Sequence, residues 1–126
     1  MIIQDPASTR KVVVSMLGNL SRSEEKVVLD FKQRLLALFP GKIQGILLYG
    51  SKARGNDHQE SDIDILVISS DDDWRLSDAI RRVGYELDGD IGYKLSIQVI
   101  SRDRLHYLKE HRFQFAENIF SDAVAV

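Results

Sequence analysis

Two acidic residues, Asp62 and Asp64, have the types and the spacing in this sequence that best suit a metal-binding or catalytic role. They enter an apolar run that is typical of a β-strand, where side chains two residues apart project from the same face. Two like charges side by side repel each other, and a cation between them removes that cost. Oxygen ligands with an open coordination sphere suit Mg²⁺ carried by a nucleotide, with Mn²⁺ as the alternative ion. The pair therefore predicts a metal site that handles phosphate.

A Gly-Ser turn precedes the acidic pair and supplies groups that could bind phosphate. The apolar run 43–49 predicts a buried strand, which ends at Gly50 and Ser51. Gly50 lets the backbone approach a ligand closely or adopt a positive φ, and Ser51 offers a hydroxyl and an N–H group where a short helix is expected to start. Arg54 is the better phosphate ligand of the two nearby cations because its planar fork pairs with two oxygens, whereas Lys52 is equally compatible with a solvated side chain.

This segment has two other interpretations, a P-loop and a chance occurrence of the acidic pattern. Gly50 and Gly55 have the glycine spacing of a P-loop, but Asn56 and Asp57 stand where that motif requires Lys and then Ser or Thr, so a Walker A motif is excluded. The remaining alternative is a charged loop between two strands that contains Asp-Ile-Asp by chance.

The pattern Gly-Ser, ten residues, then Asp-x-Asp resembles the signature of the DNA polymerase β-type nucleotidyltransferase superfamily. The short chain and the Ala-Arg-Gly that follows the turn resemble its minimal nucleotidyltransferase (MNT) branch. The resemblance implies transfer of an NMP, with AMP as the first choice, from a Mg²⁺-bound NTP to a hydroxyl group. It also implies that Gly50 and Ser51 contact the outer phosphates, and that Asp62 and Asp64 hold the metal and are catalytic.

The same resemblance suggests a protein partner. Small MNT proteins resemble the antitoxin halves of HEPN–MNT toxin–antitoxin pairs, and some of these transfer AMP to a hydroxyl of the toxin. ATP or another NTP and a HEPN-type protein are therefore the expected substrate and partner. Related antibiotic-modifying enzymes carry a further domain for the drug, for which 126 residues leave little room. We therefore expect a partner chain, or a homo- or hetero-oligomer, to help bind the acceptor.

The sequence departs from the family at one position. Active members usually carry a third carboxylate on the next strand, but here that strand reads KLSIQVIS, and Ser96 and Gln98 occupy the matching face. Neither side chain carries the charge that a second Mg²⁺ requires, and Asp90 and Asp103 only flank the strand. The alternative hypothesis is therefore a weakened or inactive nucleotide-binding module that acts by binding its partner.

Composition limits the class of protein. We expect one domain over residues 1–126, with a helical N-terminal part (1–42) and a catalytic-type core (43–126). The sequence contains no cysteine, no apolar run of the ~20 residues that span a bilayer, and no segment that resembles a secretion signal, so a cytoplasmic protein without membrane contact is expected. A net charge of −2 argues against broad nucleic-acid binding.

Periodicity predicts an α/β (α+β) fold, a mixed sheet of about three to four strands flanked by helices. The resemblance implies that this is the polymerase β-like nucleotidyltransferase fold. Trp74 and Tyr85 are interpreted as packing residues, Tyr49 as a core residue, and the three consecutive acids at 71–73 as a helix cap rather than a second metal site. The expected elements are helices over 6–20, from Ser23 to Pro40, after Asp73, after Ser101 and around 113–120, strands over 43–49, 63–69 and 95–100, a turn over 88–93, and an edge strand within 123–126.

Overall fold

The computed structural model describes residues 2–4, 11–13, 20–50, 53, 62–91 and 95–126. Strands and helices alternate along most of these ranges. The strands are β1 (Ile2–Gln4), β2 (Lys11–Val13), β3 (Ile43–Tyr49), β4 (Ile63–Ser69), β5 (Leu95–Ser101) and β6 (Val124–Ala125), and the helices are α1 (Arg22–Leu38), α2 (Trp74–Ile91), α3 (Arg102–Glu110) and α4 (Gln114–Asp122).

The main sheet has four strands in the order β5-β4-β3-β6. β5 runs parallel to β4, while β3 is antiparallel to both β4 and β6. Parallel neighbours need a long connection, and α2 provides it between β4 and β5. β1 and β2 form a separate antiparallel pair. A mixed sheet flanked by helices confirms the fold class that the sequence predicted.

Both faces of the main sheet are covered around β4 (IDILVIS), which explains why the middle of this strand is apolar. In β4, Ile65, Leu66 and Val67 are fully buried, as expected for a strand packed on both sides. On one face, α1 and α2 pack against the sheet through Phe31 and Ile80, both also fully buried. On the other face, α3 contacts β4 and β5.

The glycine in the middle of α2 allows the helix to lie close to β5. A Cβ atom added at Gly84 would overlap Cδ1 of Ile97 and would lie 3.4 Å from Cε1 of Phe31. Glycine is unfavourable in a helix interior by about 1 kcal/mol relative to alanine. The close approach of α1, α2 and β5 at this point offsets that cost.

α1 begins two residues earlier than the sequence suggested. Its N-cap is Ser21 rather than Ser23, since the Ser21 hydroxyl accepts from Glu24 N at 3.2 Å and the Ser21 N–H donates to Glu24 Oε1 at 2.9 Å. This reciprocal capping box satisfies two backbone donors, which a cap at Ser23 would not do. The helix stops at Leu38, just before Pro40, as expected. The helical spacing of Val27, Val28, Phe31, Leu35 and Leu38 predicts one buried stripe, but Leu38 is 60% exposed.

Three other local expectations were wrong. The helix expected over 6–20 is contradicted at Lys11–Val13, which forms β2, because a run of β-branched valines favours extended backbone; residues 14–19 lie outside the described ranges. The turn expected over 88–93 is contradicted by α2, which continues to Ile91, because a single glycine weakens a helix without ending it. Trp74 and Tyr85 are 71% and 56% exposed, so they are not packing residues.

The remaining elements agree with the sequence. The acidic run caps α2, with Asp73 Oδ1 accepting from Arg75 N at 2.9 Å, and Ser101 caps α3 by accepting from Arg104 N at 3.1 Å. The apolar tail adds β6 to the edge of the sheet beside β3. Within the ranges given above, no helix combines the length and the apolar character needed to cross a membrane.

Candidate nucleotide site

The end of β3 and the start of β4 bring the predicted turn and one predicted carboxylate together. The antiparallel register pairs Tyr49 with Asp64, and Gly50 follows directly. Gly50 has φ of 75°, a conformation that L-residues rarely adopt. A Cβ atom there would overlap Oδ2 of Asp64 and lie 3.2 Å from its Cγ atom. The carboxylate of Asp64 therefore occupies the space that any side chain at position 50 would need.

The Gly50 turn is closed by one hydrogen bond that the structure describes. Ala53 N donates to Gly50 O at 3.2 Å, an i to i+3 contact that folds the chain back after β3. Ser51, Lys52 and Arg54 lie outside the described residues. Their proposed contacts with phosphate therefore stay predictions.

The two acids flank a residue that anchors the start of β4 in the core. Ile63 is 1% exposed and packs in the core with α1 and α2, whereas Asp62 and Asp64 are both half-buried. In extended backbone, residues on either side of a core-facing side chain point away from that core. Asp64 therefore projects from the face opposite Ile63, where it meets Gly50. Asp62 directly precedes β4, and the projection of its carboxylate from the same face stays a prediction.

The neighbouring strand presents a hydroxyl where a third carboxylate would be expected. The parallel register places Ser96 beside Asp64, and Gln98 beside Leu66, two residues further along β4. Asp103 is exposed in α3, beyond the opposite end of β5, and the side chain of Asp90 lies outside the described part of the chain. Among the described residues, no three acidic, histidine or cysteine side chains are grouped closely enough to hold a metal ion.

The donor set at this end of the sheet fits one magnesium ion that is shared with a nucleotide. Asp62 and Asp64 supply carboxylate oxygens, the ligand type that Mg²⁺ prefers, and glycine at position 50 has no side chain that would displace the Asp64 carboxylate. Mg²⁺ is usually bound by one or two carboxylates together with substrate phosphates rather than by an all-protein cage. Two carboxylates are therefore sufficient for one such ion, and Ser96 adds no charge for a second.

The interpretation of Tyr49 as a core residue was wrong, because Tyr49 lies beside Asp64 at the candidate site and is outside the hydrophobic core. It is half-buried on the Asp64 face, and its ring meets Phe115 of α4 edge to face, with 6.1 Å between the ring centroids. Burial, and to a lesser extent the nearby charge of Asp64, raise the pKa of the Tyr49 phenol above its ordinary value of 10.0. The signal was present in the sequence, because alternation from the core residue Leu48 places Tyr49 on the other face.

Known proteins resemble this chain in sequence and in fold. A candidate protein adenylyltransferase of Methanocaldococcus jannaschii is 44% identical over 50 residues, which cover 40% of this chain and 50% of that relative. The match thus spans half the length of that relative. A crystal structure of a candidate nucleotidyltransferase from Sulfolobus solfataricus superposes with a TM-score of 0.52 at 18% identity, covering 79% of this chain and 76% of that one, which shows a shared fold.

A weaker structural likeness was also found. A toxin–antitoxin crystal structure with AMP-PNP gives a TM-score of 0.45 at 24% identity, covering 76% of this chain and 69% of that one, and this degree of similarity supports no conclusion. The family model for polymerase beta nucleotidyltransferases matches residues 33–124, which include the Gly50 turn, both carboxylates and all four strands of the main sheet as far as Val124. The chain therefore belongs to the polymerase beta nucleotidyltransferase family, as the Gly-Ser and Asp-x-Asp pattern predicted.

Proposed function

We propose that this protein transfers an NMP, with AMP as the first choice, from a Mg²⁺-bound NTP to a hydroxyl group. One observation carries the proposal. The carboxylate of Asp64, which lies two residues after Asp62 in sequence, packs against Gly50, a glycine with positive φ. Because position 50 has no side chain, the backbone of the turn can come close to a triphosphate, and the neighbouring carboxylates suit the cation that the triphosphate carries. Membership of the polymerase beta nucleotidyltransferase family supports the same reaction class.

Each group of the chain has a defined role in the proposed reaction. Asp62 and Asp64 would hold the Mg²⁺ of the nucleotide, which when bound offsets phosphate charge and orients the α-phosphate. The backbone of Gly50 and the hydroxyl of Ser51 would cradle the outer phosphates, and Arg54 would pair with their oxygens. The acceptor hydroxyl would attack the α-phosphorus and release its proton to solvent, while the bond from the α-phosphorus to the oxygen that bridges it to the β-phosphate breaks and pyrophosphate leaves.

We propose a protein hydroxyl, on a HEPN-type toxin, as the acceptor. The Methanocaldococcus jannaschii relative carries the name of a candidate protein adenylyltransferase, and its 44% identity over 50 residues supports a similar acceptor class here. The HEPN identity depends on the resemblance to the MNT branch alone.

The test is label transfer. The purified protein is incubated with ATP labelled at the α-phosphate, Mg²⁺ or Mn²⁺, and a co-expressed HEPN partner. We expect label on the partner, and a loss of at least about a hundredfold in Asp62→Asn and Asp64→Asn, because each change removes a charged group that positions the nucleotide. Asp71→Asn is the matched control, since Asp71 is an exposed acid at the other end of β4. Label that persists in both site variants would contradict the proposal.

The register between β4 and β5 favours a second candidate function. Ser96 stands beside Asp64 where active relatives are expected to carry an acid, and base catalysis by such a group typically contributes about 10²–10⁴-fold. A chain that binds a nucleotide and a partner without transfer would fit this arrangement. Partner neutralisation without label, unchanged in the Asp62→Asn/Asp64→Asn double variant, would support this binding module.

Restoring the missing acid separates the two candidates further. Ser96→Asp places a carboxylate beside Asp64, at the second residue of β5. If transfer is limited by the absent acid, this variant transfers label faster than the wild type. A wild type that already transfers label, with no gain in Ser96→Asp, indicates that a serine suffices at this position.

A further inference from the structure

Helix α2 presents a surface that the nucleotide site does not use. Trp74 and Tyr85 are 71% and 56% exposed, although large aromatic side chains usually contact other groups. They are eleven residues apart, which is about three helical turns, so both lie on the same exposed stripe of α2. We call this stripe, together with the exposed charged residues from Arg75 to Glu86, the α2 face.

The charges on the α2 face alternate in sign. Arg75, Asp78, Arg82 and Glu86 are all exposed and follow one another at spacings of three or four residues. Within the chain, Arg82 pairs with Asp78 at 3.1 Å, and the Arg75 guanidinium lies 5.6 Å from the centre of the Trp74 ring. Helical spacing places all four charged residues on one side of the helix.

This order of charges is complementary to itself when the helix is reversed. Read from the N-terminal end, the four charges run positive, negative, positive, negative, and read from the C-terminal end they run negative, positive, negative, positive. An aromatic residue is adjacent in sequence to the charge at each end, Trp74 to Arg75 and Tyr85 to Glu86. Two copies related by a two-fold axis near residue 80 would place Arg75 opposite the partner's Glu86 and Asp78 opposite the partner's Arg82. Trp74 would meet the partner's Tyr85. A parallel arrangement would instead place like charges opposite each other, which is unfavourable.

We propose that the α2 face binds a second copy of this chain, through antiparallel packing of the two α2 helices. A surface that matches its own reversed copy is what a two-fold symmetric interface requires, because each contact occurs twice. Leu38, 60% exposed, adds an apolar group beside Trp74, and the two border a shallow groove of about 430 Å³. One helix pair is a small interface, so the dimer has modest affinity and is sensitive to salt.

The charge pair at the ends of the face makes a sharp test possible. Arg75 and Glu86 are eleven residues apart, roughly 16 Å along the helix axis, so they do not pair within one chain. Any compensation between substitutions at these two positions therefore has to act between chains.

The experiment measures the dimer dissociation constant by sedimentation over a wide concentration series at low ionic strength. Arg75→Glu and Glu86→Arg, each alone, place like charges opposite each other twice per dimer, and each is expected to raise the dissociation constant at least about tenfold. The double variant, Arg75→Glu with Glu86→Arg, is expected to return it to near the wild-type value. Trp74→Ala is expected to weaken the dimer without changing its salt dependence.

Arg104→Glu is the matched control, since it makes the same charge change at an exposed position on α3 and is expected to leave the dimer intact. Circular dichroism verifies that each variant keeps its helices. The proposal is overturned by a wild type that stays monomeric, by a dimer that Arg75→Glu does not weaken, or by a double variant no better than the single ones. A complex with a different protein that needs the same residues, without self-association, would also overturn it.

Discussion

At the scale of single residues, the contact between Gly50 and Asp64 places the strictest demand on the sequence. Position 50 combines a φ of 75° with a carboxylate in the space that a Cβ atom would fill. Glycine meets both conditions. A larger residue would have to strain the backbone and displace the carboxylate at the same time.

Gly50→Ala is therefore expected to lower the affinity for Mg²⁺-ATP at least about tenfold and the free energy of unfolding by about 1–2 kcal/mol, the usual cost of the left-handed conformation. Titration calorimetry and urea unfolding measure the two effects. Gly41→Ala is the matched control, because Gly41 has the same φ of 75° but nothing within 4 Å of an added Cβ atom. It should lose similar stability and keep its nucleotide affinity. Equal affinities in both variants would show that the Gly50–Asp64 contact is unrelated to binding.

Tyr49 reports on the charge of Asp64. Burial and the Asp64 carboxylate raise the Tyr49 pKa, so folding favours the protonated phenol. The corresponding stability is present below the unfolded-state pKa of 10.0 and is lost as the pH rises through the folded-state pKa. In Asp64→Asn the Tyr49 pKa is expected to fall toward 10.0 without reaching it, since burial remains. NMR of ¹³C-labelled tyrosine measures this, and an unchanged pKa would mean that the two groups do not interact.

At the scale of elements, the capping box explains where α1 begins. The Ser21 hydroxyl and the Glu24 side chain satisfy each other's backbone N–H groups, and Glu24 is only 6% exposed. Ser21→Ala is expected to lower the free energy of unfolding by about 1 kcal/mol, the typical cost of losing an N-cap. Urea unfolding measures it. Ser23→Ala is the comparison, because Ser23 would be the N-cap if the helix began two residues later. A larger loss of unfolding free energy in Ser23→Ala than in Ser21→Ala would contradict Ser21 as the N-cap.

Elements whose signals agree were predictable from the sequence. β3 and β4 lie where expected because each is a short apolar run with a turn residue at its end, and Ser101 combines a cap with the end of a strand. Expectations failed where two local signals compete. At Lys11–Val13 the apolar spacing fits a helix while the β-branched residues favour a strand, and pairing with Ile2–Gln4 decides the outcome. Periodicity alone likewise could not separate the buried stripe of α2 from its exposed aromatic residues.

At the scale of the whole molecule, the fold places the turn, the acids and the Ser96 hydroxyl at one end of a sheet that is packed on both faces. Motif spacing indicated the acids and the turn because they are close in sequence. The contact between the rings of Tyr49 and Phe115 was not predictable from the sequence, because 65 residues separate them and the contact depends on how α4 packs. The roles of Ser51, Lys52 and Arg54 stay predictions.

The most direct measurement is the binding of ATP by titration calorimetry, with and without Mg²⁺, to the wild type and to Asp62→Asn, Asp64→Asn and the Asp71→Asn control. If the paired acids hold a nucleotide-borne cation, the wild type and the control bind ATP tightly only with Mg²⁺. The two site variants then lose at least about tenfold in affinity, as expected when a charged ligand is removed. Binding that is independent of Mg²⁺, or equal in all four proteins, would contradict the account.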